Sequence, residues 1–237
     1  MQIIILAAGA GKRFVDNRIF IPKPLIKVKE KTLLQHAYES LKLQGNYIFV
    51  CQKQHEEEFK ISQEIYSLCK DAKIVFLNKL SKGPAESALF CNEVLDEEDS
   101  LITINCDQRM VWDERRFIDF LNLQEPDGCI ITVKTNGKNY SYAEVNEAGI
   151  VQRIVEKEII SDDGLIGFHY YKKAKYFIDA TRQLISLDQK QKGEFYISDT
   201  YNILIKNNLR IMNYSLNEKE TQIVLGTPEE IKKFESI

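Results

Sequence analysis

The sequence predicts an α/β protein, a three-layer α/β/α sandwich around a mixed, mostly parallel central sheet. Three observations carry this. Short apolar runs alternate with helix-length amphipathic stretches through the first half, which indicates parallel βαβ units. The first run, Ile3 to Leu6, breaks at once into Ala7-Ala8-Gly9-Ala10-Gly11, a strand feeding a turn of small residues. The second half changes to closely spaced strand-like runs joined by turns.

In order, Thr32-Leu33-Leu34-Gln35 has a capping-box pattern, and Leu33, Leu34, Ala37, Tyr38 and Leu41 share one face. A helix from Thr32 to about Leu43, stopped by Gly45, follows. Tyr47 to Cys51 reads as a buried strand, His55 to Leu68 as a helix and Lys73 to Leu77 as a strand. Pro84 occupies a first helical position, and Leu101 to Ile104 is the next strand. Strands are expected over Gly128–Thr135, Tyr140–Val145, Ile150–Val155 and Leu165–Tyr171, forming a lid over the far side of a cleft. Helices near Tyr176–Leu187 and Tyr196–Asn207, a strand at Leu209–Tyr214 and a short helix opened by Pro228 complete the chain.

With 237 residues, 44% of them hydrophobic, the chain suits a single domain, with residues 1–125 as one half and 126–237 as the other. No repeat of β-helix type occurs. A net charge of −3 argues against a nucleic-acid binder, which shows a basic excess. Cys51, Cys69, Cys91, Cys106 and Cys129 are odd in number and widely spaced, which suggests reduced thiols in the cytoplasm. A first strand starting at Gln2 leaves no room for a signal peptide, and no apolar run approaches the ~20 residues of a membrane span. His36, His55 and His169 are scattered and read as structural.

The opening loop carries the chemistry. Small residues let backbone N–H groups approach phosphate oxygens, Lys12 and Arg13 supply charge, and Pro22-Lys23-Pro24 sets a third cation on a stiff segment. A dinucleotide fingerprint would need glycine at Phe14. A P-loop would need glycine at Leu6 and Ser or Thr at Arg13. What remains is L-A-A-G-x-G-x-R followed by P-K-P-L-I, which resembles the signature of the sugar-phosphate nucleotidyltransferases (NDP-sugar pyrophosphorylases), enzymes of nucleotide-diphospho-sugar transferase-like, GT-A-type fold.

The resemblance extends to Gly226-Thr227-Pro228-Glu229 and implies roles for further residues. Leu6 through Lys12 would bind the nucleotide, with Asn78, Gly83 and Pro84 reading the base. Asp107 ends an apolar strand where the triphosphate should lie and would hold Mg²⁺, although a strand-terminal Asp is equally a turn or capping residue. Glu194-Phe195-Tyr196-Ile197-Ser198-Asp199 resembles an E-x-Y-x-x-D pattern whose Asp199 would be the second ligand, the alternative being a helix N-cap. Glu156-Lys157 resembles an E-K-P motif, here with Glu158 in place of proline. Glu156 would meet acceptor hydroxyls, Lys157 the acceptor phosphate, and Gly167 would let the acceptor come close; without the other motifs, Glu156 and Lys157 would be solvated neighbours at a strand end. Gly83-Pro84-Ala85-Glu86, Cys106-Asp107-Gln108 and Trp112-Asp113 look most like a small standalone capsule-linked branch, similar to CTP:phosphoglutamine cytidylyltransferases.

The expected reaction is in-line displacement of pyrophosphate from an NTP, CTP before UTP or dTTP, by a phosphorylated small molecule. Arg13 would hold the departing phosphates and Lys23 the charge at the α-phosphate. The expected partners are these small molecules, without nucleic acid or membrane, and a homodimer is compatible with the chain. A GT-A glycosyltransferase would usually place an acid where Arg109 stands. A non-catalytic nucleotide-binding paralogue would show erosion of the charged set.

Overall fold

A computed structural model describes residues 1–236. Its strands are β1 (Gln2–Leu6), β2 (Lys27–Val28), β3 (Lys31–Thr32), β4 (Asn46–Gln52), β5 (Lys73–Leu77), β6 (Leu101–Asn105), β7 (Gln108–Val111), β8 (Gly128–Lys134), β9 (Ser141–Val145), β10 (Val151–Glu156), β11 (Asp163–Tyr171), β12 (Ile211–Ser215) and β13 (Thr221–Val224). The helices are α1 (Lys12–Val15), α2 (Leu33–Leu41), α3 (Lys53–Phe59), α4 (Ile61–Leu68), α5 (Pro84–Leu89), α6 (Glu114–Gln124), α7 (Ala174–Ser186), α8 (Ile197–Lys206) and α9 (Pro228–Glu235).

The main sheet runs β10-β9-β11-β6-β1-β4-β5, with β8 beside β11 and β12 outside β8. Strands β1, β4, β5, β6, β8, β9 and β12 point one way, and β10 and β11 run against them. The mixed, mostly parallel sheet expected from the sequence is therefore present. The strands expected to form a lid do not: β8 to β11 are hydrogen-bonded into the main sheet, β11 pairing directly with β6. Their apolar residues are buried on the sheet itself, which a separate cover would have left half exposed.

Alternation along β1 explains the layering. Ile4 and Leu6 join a cluster that includes Ala88, Phe177 and Tyr201 from α5, α7 and α8, whereas Ile3 and Ile5 join Leu34, Ile65 and Phe117 from α2, α4 and α6. A third cluster, with Phe14, Val28, Leu33, Leu225 and Ile231, ties α9 to the segment around the β2-β3 hairpin.

Thr32 caps α2, its Oγ1 accepting from Gln35 N at 3.0 Å. The helix stops at Lys42, which adopts φ 55°, three residues before Gly45. The continuous helix expected over 55–68 is broken by Lys60, also left-handed at φ 54°, so that Ile61 and Ile65 can turn onto the sheet. β7 and β13, too short to show periodicity, form their own antiparallel pair. Among the described residues no helix is long and apolar enough to cross a membrane, and all five cysteines are free.

Phe117 is fully buried, with ring centroids of Trp112, Phe168 and Tyr214 at 5.4, 5.4 and 5.3 Å. Removing such a ring leaves a cavity that three stiff neighbours cannot fill. Phe117→Ala is expected to lower the unfolding free energy in urea by about 3–5 kcal/mol; a loss under ~1 kcal/mol would show that the cluster closes over the gap.

Candidate active site

Parallel register sets the site. Leu6, the last residue of β1, pairs with Val50 of β4 and Asn105 of β6, so Ala7–Gly11 and Cys106-Asp107 leave the sheet at one edge. Such carboxyl edges are where open α/β sheets hold ligands. Ala7 N donates to Val50 O at 2.8 Å, and Gln52 Nε2 donates to Ala8 O at 2.8 Å, which pins the loop at its start. Gly9 and Ala10 are exposed. Gly11 turns the chain at φ 59° and begins α1, and buried Phe14 anchors that turn while Lys12 and Arg13 stay in solvent.

Lys23 opens a 3₁₀ turn after Pro22, and its Nζ lies 2.8 Å from Asp107 Oδ2. Burial disfavours both charges, but each outweighs that penalty for the other. Asp107 and its hydrogen bond raise Lys23 to about 12, and Lys23 holds the Asp107 carboxyl below its ordinary range. Arg13 is near enough to act on both. The structure thus brings together Arg13, Lys23 and Asp107. A cleft of about 240 Å³ opens beside them, lined among others by Gly9, Gly11, Lys23, Gln52, His55 and Leu80.

A second group gathers at the start of α8. Glu156 is buried, accepts from Ser141 Oγ, and has Lys157 Nζ at 3.4 Å. Lys157, at φ 54°, donates to Tyr196 OH at 2.8 Å and lies over that ring. Asp199 is nearby: its Oδ1 accepts from Gln191 Nε2 at 2.6 Å, while its Oδ2 is buried without a partner among the described residues. Burial, and then the Glu156 charge, push Asp199 up to about 7. Neither Ser198 nor Asp199 caps α8, since Tyr196 is the N-cap residue and no side chain bonds there. Asp199 therefore answers to Gln191 and Glu156.

Two glycines make close backbone approaches within the protein. At Gly167, φ 72°, an added Cβ would stand 2.7 Å from Asn105 Nδ2, so the bare backbone accommodates the end of β6. At Gly83, φ 135°, it would stand 2.5 Å from Phe195 N. Phe195 N donates to Lys82 O at 2.8 Å and Ala85 N to Phe195 O at 3.0 Å. Gly83 thus welds its turn to the 194–199 segment. Asn78 sits on an exposed bend after β5.

The sequence profile of the nucleotidyl transferase family matches residues 2–219. The chain belongs to this family. It is 24% identical over 238 residues to the bifunctional protein GlmU of Thermodesulfovibrio yellowstonii, covering 98% of this chain and 50% of that protein. Against GlmU of Clostridioides difficile it is 22% identical, covering 100% and 51%. The chain thus spans about half the length of these curated relatives. Its fold is similar to a nucleoside-diphosphate-sugar pyrophosphorylase of Vibrio cholerae (TM-score 0.85, 23% identity, 100% of both chains). It is also similar to a putative glucose-1-phosphate thymidylyltransferase of Bacillus anthracis (TM-score 0.79, 19% identity, 100% of this chain and 94% of that one).

Nucleotidyl transferases generally use a divalent metal, and the site has features that suit one. Asp107 offers an ionised, hard oxygen, and the adjacent Gly226 leaves open the space in which a Cβ would come within 2.8 Å of Asp107 Oδ2. No cluster of three or more metal-suited side chains exists among the described residues, so phosphate and water oxygens would complete any shell. Sequence reasoning missed Gln52 and Gln191. Gln52 ends β4 at the same edge as Leu6 and follows from the rule that singled out Asp107, whereas Gln191 lies in a loop without periodicity.

The raised Asp199 has a pH signature. Between its unfolded value of 3.8 and about 7, the folded chain keeps a proton that the unfolded chain loses, so stability falls as pH rises through that window. Asp199→Asn is expected to raise the urea midpoint at pH 8, with the gain vanishing toward pH 4. An equal gain at both pH values would place the effect elsewhere.

Proposed function

We propose that the chain is a nucleotidyltransferase that joins an NTP to a phosphorylated small molecule and releases pyrophosphate. The observation that supports this most is the Lys23–Asp107 pair at the mouth of a small-residue loop: a cation and an anion held at one sheet edge, beside exposed backbone suited to phosphate. A phosphate oxygen of the acceptor bonds to the α-phosphorus. The bond from that phosphorus to the bridging oxygen breaks, and its electron pair leaves with pyrophosphate. No protein nucleophile is needed, so positioning and charge neutralisation carry the rate.

In this reading the loop from Leu6 to Lys12 cradles the phosphates, Arg13 holds the leaving β- and γ-phosphates, and Lys23 meets the charge growing at the α-phosphate. Lys157, donating to Tyr196 and flanked by Glu156, takes the acceptor phosphate. Asp107 would hold Mg²⁺, which when bound neutralises phosphate oxygens. We assign Asp199 to the acceptor side, beside Glu156. The base is a pyrimidine, read by the exposed Asn78 amide near the Gly83-Pro84 turn, with CTP preferred over UTP and dTTP. The acceptor is a sugar phosphate or another precursor of a capsule polysaccharide, and the enzyme works in the cytoplasm. A glycosyltransferase is disfavoured because Arg109 turns to His36 Nδ1 at 3.3 Å where such an enzyme would present an acid.

The test is pyrophosphate release from each NTP with a panel of phosphorylated metabolites. Lys23→Ala is expected to lower kcat and kcat/KM together by at least tenfold, as loss of a transition-state contact does; a change in KM alone would reduce Lys23 to a binding residue. In thermal titration with Mg²⁺, CTP at 100 times its Kd is expected to stabilise by about 2.7 kcal/mol. Preference for GTP or ATP would overturn the pyrimidine assignment, and preference for UTP or dTTP would overturn CTP alone.

A further inference from the structure

Glu230 is a charged group for which the mechanism above has no use. It lies in the first turn of α9, its N–H donating to Thr227 Oγ1 at 3.2 Å, so its backbone is fixed. Its Oε2 is fully buried and has no hydrogen-bond partner among the described residues. A carboxylate oxygen in that state is costly unless something positive comes to it.

Asp107 borders the same backbone position, that of Gly226. A Cβ added at Gly226 would lie 2.8 Å from Asp107 Oδ2 and 3.6 Å from Glu230 Oε2, so the two oxygens flank one backbone position that carries no side chain. The backbone is clipped at the same place, Leu225 N donating to Asp107 O at 2.7 Å. Lys23 Nζ, 2.8 Å from Asp107 Oδ2, shows that this oxygen takes a positive partner.

On the reading that the chain transfers a nucleotidyl group, we propose that Glu230 and Asp107 together are the protein ligands of its divalent cation. One or two carboxylates are the usual protein share for Mg²⁺, and both of these are hard oxygen donors. Asp199 is left to the acceptor side, one of its oxygens being taken by Gln191 and its charged neighbour being Glu156. Gly226 is then required for space, since a methyl group there would press on Asp107 Oδ2 and fill the gap beside Glu230 Oε2.

The full chain is titrated with Mn²⁺ alone, reading free Mn²⁺ by its electron paramagnetic resonance signal. Glu230→Gln and Asp107→Asn are each expected to weaken Mn²⁺ binding at least tenfold, and Asp199→Asn to leave it within twofold. Gly226→Ala, whose backbone is outside the left-handed region, is expected to weaken binding similarly while keeping both carboxylates. Thermal midpoints within a few degrees of the parent confirm that the variants are folded, and Gly226→Ala decides the matter if Glu230→Gln is not. Wild-type affinity in Glu230→Gln, loss of binding in Asp199→Asn, or a parent chain that takes up no Mn²⁺ at millimolar concentration overturns the proposal. Mn²⁺ binding through Glu230 without pyrophosphate release from any NTP would leave the metal site standing and remove the transfer reading.

Discussion

The placement of β1 between β4 and β6 is the constraint on which the candidate site depends. Its residues are buried on both faces of the sheet, and each pairs in parallel with a neighbour on either side. A parallel strand covered on both faces cannot slip by one residue without sending Ile4 and Leu6 to the wrong helical layer. The same lock fixes where the chain must leave the sheet. Ala7 and Cys106 emerge side by side because Leu6 and Asn105 are register partners. The loop and the acid are thus brought together by hydrophobic packing well behind them.

Charge then organises what packing has assembled. Lys23 and Asp107 are each disfavoured by burial and each held charged by the other, so the pair is stable as a pair and poor as two separate ions. Losing Lys23 would leave Asp107 partly buried with Arg13 as a weaker remaining cation. Around Glu156 the balance is different: Lys157 offsets one carboxylate, and Asp199 is left as the group that burial drives toward its protonated form.

Much of this was legible in the sequence where a local rule was at work. Apolar runs gave the main strands to within a residue or two, and Thr32 declared the start of α2 through its side chain. The opening loop and the strand-terminal Asp107 were legible because both are punctuation at the end of an apolar run. Long-range decisions were not. Lys42 and Lys60 adopt left-handed conformations that a lysine does not advertise, imposed where α2 and α4 must seat on the sheet. The strands from β8 to β11 read equally well as a cover or as an extension of the sheet, since alternation shows which face is buried and not against what. The closeness of Asp199 to Glu156 is likewise a tertiary fact, invisible in a motif that fixes spacing along the chain alone.

The weld between Gly83 and Phe195 has a mechanical consequence. The turn at 82–85 follows β5, the neighbour of β4 in the sheet that carries the small-residue loop, while Phe195 leads directly into Tyr196 and the first turn of α8. Two backbone hydrogen bonds and a contact too close for any side chain join them into one rigid strut. A displacement of Tyr196 would therefore reach the 82–85 turn through the main chain, without relay by side chains. The turn and the start of α8 cannot be adjusted independently: what moves the backbone of one must move the backbone of the other.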